Sequence, residues 1–225
     1  MDADTTGAKF SFDKMVDSFR AGKQDIMLGT QMVTKGHDFP GVTLVGIVLA
    51  DSALYMDDFR AGERTFELIA QVIGRAGRAE KKGRAIIQTY NPENRIIEYG
   101  ASQNYREFYQ NEIAFRRSLI FPPFCDICLI SFQSTDEAEC MMASDTYARS
   151  LKEAMIGAYN DVAMTVFGPF EAPVYKVGDR YRRRMVIKCK DSRRTRELLR
   201  SILISFGGKI AKKVNISIDM NPGSI

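Results

Sequence analysis

The sequence predicts an α/β chain in two parts: a parallel sheet with flanking helices, then a smaller α+β domain of split β-α-β type. Three observations predict it. Strand-like and helix-like segments alternate through residues 10–90. A sharp break, Phe121-Pro122-Pro123-Phe124, separates two different rhythms. Beyond the break, the segments follow in the order β-α-β-β-α-β.

Residues 10–21 carry Phe12, Met15, Val16 and Phe19 at helical spacing, and Gly22 is a stop. Residues 25–28 read as a short strand. Residues 42–50 form a β-rich apolar run of the kind buried on both faces of a sheet. Residues 60–73 read as a helix, with Phe66, Ile69, Ala70 and Ile73 on one side. Gly83 closes a loop before a strand over residues 84–90. Asn91-Pro92 is a break, and a long amphipathic helix is expected over residues 94–119. Proline cannot continue a helix and restrains the residue before it, so the boundary is set here, giving domains 1–117 and 118–225. In the second domain the expected strands cover residues 125–133, 162–175, 181–189 and 214–220. The expected helices cover residues 136–159 and 192–206, with a turn at Val177-Gly178-Asp179.

Composition sets outer bounds. The chain has 225 residues, 45% apolar and 27% charged, which suits folded protein with a sizeable core. Its longest apolar run, residues 42–50, is too short to span a bilayer. The first ten residues lack a basic region and an apolar stretch, so no signal peptide is expected. The expectation is a cytoplasmic protein with no membrane partner. The net charge is only +4, but residues 179–200 are locally basic. That cluster reads either as a phosphate-contacting surface or as a solvated hairpin and helix. Tyr181, Arg182, Arg183, Arg184, Arg193, Arg194 and Arg196 are its candidate contacts. Cys125 and Cys128 form a C-x-x-C without a second close pair, and on a strand they would face opposite sides. No metal site is expected within the chain.

Two segments carry chemistry. In Gln71-Val72-Ile73-Gly74-Arg75-Ala76-Gly77-Arg78, the spacing would put Gln71, Arg75 and Arg78 on one helical face. Gly74 and Gly77 between them would let a neighbouring backbone approach. Two guanidiniums aimed one way suit a triphosphate, and an arginine finger stabilises charge developing on a γ-phosphate. An exposed basic helix end would explain the arginines, but not the whole pattern. Forty residues upstream lies Gly29-Thr30-Gln31-Met32-Val33-Thr34-Lys35-Gly36-His37-Asp38-Phe39-Pro40. Thr30, Gln31 and Lys35 supply hydroxyl, amide and ammonium donors that could contact a single-strand phosphate backbone, or the segment is a strand–turn–strand connection that Gly and Pro merely shape.

The first of these segments resembles motif VI of superfamily 2 helicases, and the second resembles motif V. Finer matches at Ile26 to Gln31, Asp58-Phe59-Arg60 and Glu63-Arg64 resemble the PriA (primosomal protein N′) family of replication-restart helicases. So do Arg116-Arg117, Phe121 to Phe124, Gly168-Pro169, Ala172-Pro173 and Tyr181-Arg182. The resemblance implies part of a RecA-like helicase lobe 2, followed by a C-terminal domain that binds DNA or partners. It implies an ATP-dependent 3′ to 5′ DNA helicase that restarts stalled forks and assembles the primosome. Arg75 and Arg78 would complete the ATP site, with Gln71, Gly36 and Asp38 at the nucleotide cleft. Expected partners are branched and single-stranded DNA, single-strand-binding protein and other primosome proteins.

The sequence has no phosphate loop of the form G-x-x-x-x-G-K-[ST]. Gly207-Gly208-Lys209-Ile210 imitates one, with Ile at the hydroxyl position. Asp136-Glu137-Ala138-Glu139 imitates an acidic motif, but lies downstream of the others. It reads as a helix start with a capping hydroxyl and an acidic first turn. The expectation is a C-terminal fragment, inactive toward ATP by itself, whose ATP and magnesium pocket and zinc-binding cysteines lie upstream. The alternatives are a non-catalytic nucleic-acid or protein-binding module, or another superfamily 2 DNA translocase.

Overall fold

The computed structural model describes residues 11–30, 39, 41–75, 83–207 and 213–225. These residues form two compact units. One comprises Met1–Met56 with Arg60–Glu112, and the other comprises Asp57–Phe59 with Ile113–Ile225.

In the first unit, α1 (Ser11–Arg20) is followed by β1 (Leu44–Ile47), a 3-10 turn (Ala50–Ala53), α2 (Ala61–Ile73) and β2 (Arg84–Ile87). α3 (Arg95–Ser102) and the start of α4 (Tyr105–Ser118) complete it. β1 and β2 pair in parallel, Leu44 opposite Arg84 and Ile47 opposite Ile87. The expected parallel sheet is therefore present. Ile47, Ala50, Ile69, Val72 and Ile97 form the core. α2 buries Phe66, Ile69 and Val72 at three-residue spacing, which selects the face it turns inward.

Three expectations for this unit are corrected. Residues 25–28 form no strand, and Ile26 and Leu28 are 84% and 79% exposed. A strand exists only within a ladder, and the described sheet pairs nothing with this stretch. The strand expected over 42–50 is confined to Leu44–Ile47, because Leu49 turns into the left-handed region (φ 53°). It is not buried on both faces, since Leu44 is 58% exposed and Gly46 is exposed as well. The long helix expected over 94–119 is two helices. Gln103 takes φ 55° and ends α3, and the Asn104 side chain accepts the Glu107 N–H to begin α4. Asparagine offers the backbone this local alternative to a continued helix.

In the second unit, the rest of α4 leads to β3 (Asp126–Ser134), α5 (Glu137–Ile156) and the hairpin of β4 (Met164–Val177) with β5 (Arg180–Cys189). α6 (Arg193–Ser205) and β6 (Asn215–Met220) complete it. The sheet is antiparallel throughout, in the order β4-β5-β3-β6. Gly178 at φ 61° makes the expected turn between Val177 and Arg180. Cys128, Ile130 and Phe132 of β3, with Met185 and Ile187 of β5, pack against Tyr147 and Leu151 of α5 and Leu198 and Ile202 of α6. The alternate residues of β3 and β5 lie on the opposite sheet face.

The helix starts explain themselves. Ser192 Oγ accepts the Thr195 N–H to open α6. For α5 the capping group is the Asp136 carboxylate, which accepts the Glu139 N–H. This corrects the expected hydroxyl cap: Ser134 Oγ instead donates to the Lys213 carbonyl and accepts the Asp136 N–H.

Candidate functional site

Of the two motor-like segments, the structure describes the α2 end most fully. Gln71 is half-buried in the last turn of α2, and Gly74 caps that helix. The Arg75 N–H reaches the Val72 carbonyl at 3.0 Å, so the chain tightens into a 3-10 turn there. Arg75 thus lies just beyond the helix, which corrects the reading of one continuous helical face from Gln71 to Arg75. Arg78 lies outside the described residues. A Cβ on Gly74 would meet the carbonyls of Ala70 and Gln71 and the Gln103 side chain, not a neighbouring backbone. Gln103 also donates from Nε2 to the Ala70 carbonyl, satisfying an acceptor at the helix end.

Another glycine makes the close approach. A Cβ on Gly100 of α3 would stand 2.9 Å from both Cβ and Cγ2 of Ile69 on α2. Real Cβ atoms essentially never come so close. The missing side chain of Gly100 therefore sets the α2–α3 distance, and with it the support of the helix carrying Gln71.

The motif V-like segment is described only at its edges. Thr30 is exposed. Gln31, Lys35, Gly36 and Asp38 lie outside the described residues. Phe39 packs edge-on against Phe19 of α1, with ring centroids 5.3 Å apart. Asp51 lies in the 3-10 turn after β1. It is buried, accepts the Thr89 hydroxyl at 2.6 Å and accepts the Tyr90 N–H at 2.8 Å. The Thr89 hydroxyl, then the Tyr90 N–H, hold its carboxyl below the ordinary range. Asp51 thereby ties the exit of β2 to the exit of β1.

The basic candidates of the second unit divide by strand and helix. Tyr181 and Arg183 lie on the helix-covered face of β5, and Arg182 and Arg184 on the other. Lys176 donates to the Tyr181 hydroxyl and lies over its ring. Most of the arginines already meet acids of the chain. Arg183 approaches Asp145 at 3.8 Å, and Arg184 bonds Asp57 at 2.6 Å. Arg193 pairs with Glu197 one helical turn away. Arg194 binds Asp161 and the Ala158 carbonyl and covers the Tyr159 ring. Arg196 binds both oxygens of Asp191. Asp161 and Asp191 are held below the ordinary carboxylate range, chiefly by hydrogen bonds from Arg194 and Arg196. The charge of residues 179–200 is therefore partly spent inside the fold.

Three of the four thiols are buried. Cys128, Cys140 and Cys189 lie in the core. Burial pushes Cys128 up to about 12 and Cys189 up to about 11. Cys125 precedes β3 and donates to the Ile120 carbonyl. Among the described residues, no three His, Cys, Asp or Glu side chains are grouped as a metal site would need.

Comparisons with known proteins give two family matches along the chain. Residues 9–80 match the helicase conserved C-terminal domain, and residues 117–223 match the primosomal protein N C-terminal domain. The chain is 44% identical over 223 residues to replication restart protein PriA of Bacillus subtilis (strain 168), covering 99% of this chain and 27% of that protein. It is 36% identical over 204 residues to the protein of that name from Treponema pallidum (strain Nichols), covering 91% and 30%. With the protein of that name from Synechocystis it shares 36% over 187 residues, covering 83% and 22%. The chain thus spans less than a third of the length of these relatives. A helicase conserved C-terminal domain fits a RecA-like lobe, and the parallel β1–β2 pair lies across that match and its continuation. The chain belongs to the replication restart protein PriA family and corresponds to its C-terminal part.

Proposed function

We propose that this chain is the C-terminal part of an ATP-dependent 3′ to 5′ DNA helicase that restarts stalled replication forks and assembles the primosome. One observation carries the reading: the helicase match and the primosomal match lie on a single chain that aligns with a replication restart protein over 223 residues. In this reading, residues 1–117 are part of a RecA-like second motor lobe. Residues 118–225 are a split β-α-β domain that binds DNA or partners, a reading supported by the strand order β4-β5-β3-β6.

Gln71 and Arg75, with Arg78, Gly36 and Asp38, would border ATP held elsewhere in the longer protein. Gln71 and Arg75 fit such a role, being an amide and a guanidinium four residues apart at one helix end. ATP would supply the free energy of translocation. Magnesium would accompany it, and zinc would sit on cysteines outside this chain. Thr30, Gln31 and Lys35 would contact a single strand. Single-strand-binding protein and other primosome proteins are the proposed partners, and the cytoplasm the proposed location. No helix among the described residues is long and apolar enough to cross a membrane.

The test is kinetic. In the longer protein, Arg78→Ala abolishes ATP turnover and leaves DNA affinity largely intact. Lost DNA binding with normal turnover would overturn the assignment. The 225-residue chain by itself turns over no ATP, and a DNA-stimulated ATPase from it would refute the reading of its incompleteness.

A further inference from the structure

The face of the second unit's sheet opposite α5 and α6 carries aromatic rings and cations in alternation. Phe167 of β4 pairs with Val186, and Phe170 pairs with Arg184. Residues three apart on a regular strand face opposite ways. Here a bulge at Gly168-Pro169 sets two residues against one on β5, and both rings come to the same face. Gly168 adopts φ 95°, and a Cβ there would stand 2.9 Å from the Phe170 ring and 3.0 Å from the Arg184 carbonyl. Only glycine fits that bend.

The rings stay open to solvent, with Phe167 41% and Phe170 37% exposed. Cations stand among them. Arg184 lies over the Phe170 ring at 5.2 Å. Lys188 Nζ lies 3.7 Å from the Phe121 centroid and 5.5 Å from that of Phe167, anchored by its bond to the Leu119 carbonyl. Arg116 lies over Phe59, which stacks on Phe121 at 5.1 Å. All of these residues belong to the second unit. Of the acids, Asp57 is already taken up by Arg184, and Asp219 stands on the far edge strand β6. Arg182 and Lys188, on the same face, make no ion pair among the described residues.

We infer that this face binds single-stranded nucleic acid through its bases, which stack on Phe167 and Phe170 while Lys188 and Arg182 meet the phosphates. Open π-faces take any base, and interleaved cations track the backbone; together they form the platform that single strands need. An apolar partner surface would not explain the cations, and a purely ionic contact would not explain exposed rings held together by a bulge. The inference rests on the reading of the second unit as a nucleic-acid-binding domain and moves its contacts away from the paired arginines of α6.

The experiment compares two strands of equal length and charge. Fluorescein-labelled oligodeoxythymidine and an abasic oligonucleotide are titrated with the 225-residue chain. The thymidine strand binds about tenfold more tightly. The double variant Phe167→Ala with Phe170→Ala loses that preference and leaves the abasic affinity unchanged. Phe167→Leu with Phe170→Leu, which keeps apolar cover on the sheet, loses it too, so the result does not depend on the Ala variant folding. Lys188→Gln weakens both strands and lowers the salt slope by about one. Equal affinity for the two strands, or an unchanged preference in the Leu variant, overturns the inference. So does a self-association of the chain that the same variants abolish, since the face would then bind a second copy. If fork or duplex DNA still binds while the base preference is absent, this site is refuted and the DNA-binding reading stands. Failure to bind any DNA refutes both.

Discussion

Gly100→Ala tests whether the α2–α3 contact is built on a missing side chain. Two effects oppose. Alanine in a helix is favoured over glycine by about 1 kcal/mol, because it restricts the unfolded chain. Against that, the new methyl would stand 2.9 Å from two carbons of Ile69, a residue with no exposed surface. Forcing a methyl into such a site costs about 1–3 kcal/mol. The net is a loss of roughly 1 kcal/mol in the local stability of α2. Hydrogen exchange over Ala61–Ile73 reads this directly. Where exchange follows local opening, that loss accelerates the α2 amides about fivefold. Ile69→Val does not rescue the variant, because valine retains both clashing carbons. Unchanged or slower exchange in α2 would refute the packing account, for the propensity gain would then have won.

Other outcomes follow from buried groups. The native Asp51 carboxyl titrates below its ordinary value of 3.8, so its contribution to stability is complete above that pH and is lost as pH falls through the lower native value. Thr89→Val removes the largest cause and moves the Asp51 carbon-13 titration up toward 3.8; an unmoved midpoint would contradict the hydrogen-bond account. Thiol labelling of the native chain at mildly alkaline pH modifies Cys125 first. Cys128, Cys140 and Cys189 react only after denaturant is added, and rapid loss of two or more thiols would contradict their place in the core.

Much of the second unit was legible locally. The expected strand over 181–189 differs by one residue from Arg180–Cys189, and the helix over 192–206 by one at each end from Arg193–Ser205. Alternation along β5 and the Ser192 cap are signals carried by adjacent residues, and they suffice there. The first unit was harder. Residues 25–28 include a short apolar run, but strand formation is decided by a partner that adjacent residues do not encode. The break at Gln103 was hidden because apolar spacing continues across it. The reversal was detectable only as the Asn104 capping signal.

The candidate sites divide along the same line. The spacing of Gln71, Arg75 and Arg78, and the segment from Thr30 to Pro40, are linear patterns, so the family reading needed only the sequence. Which charges remain available is not a linear property. Arg184 meets Asp57 across 127 positions, and Arg194 meets Asp161 across 33. A run of arginines therefore reads as a basic surface until folding supplies its acids. The same holds for Phe167 and Phe170: their spacing places them on opposite faces of an ideal strand, and only the bulge against β5 brings them together. The chain by itself determined the order of its elements and its motifs, because hydrophobic periodicity and capping act over a few residues. Tertiary pairing decided which face stays open and which cations stay uncommitted, because those depend on residues that are distant in sequence and adjacent in space.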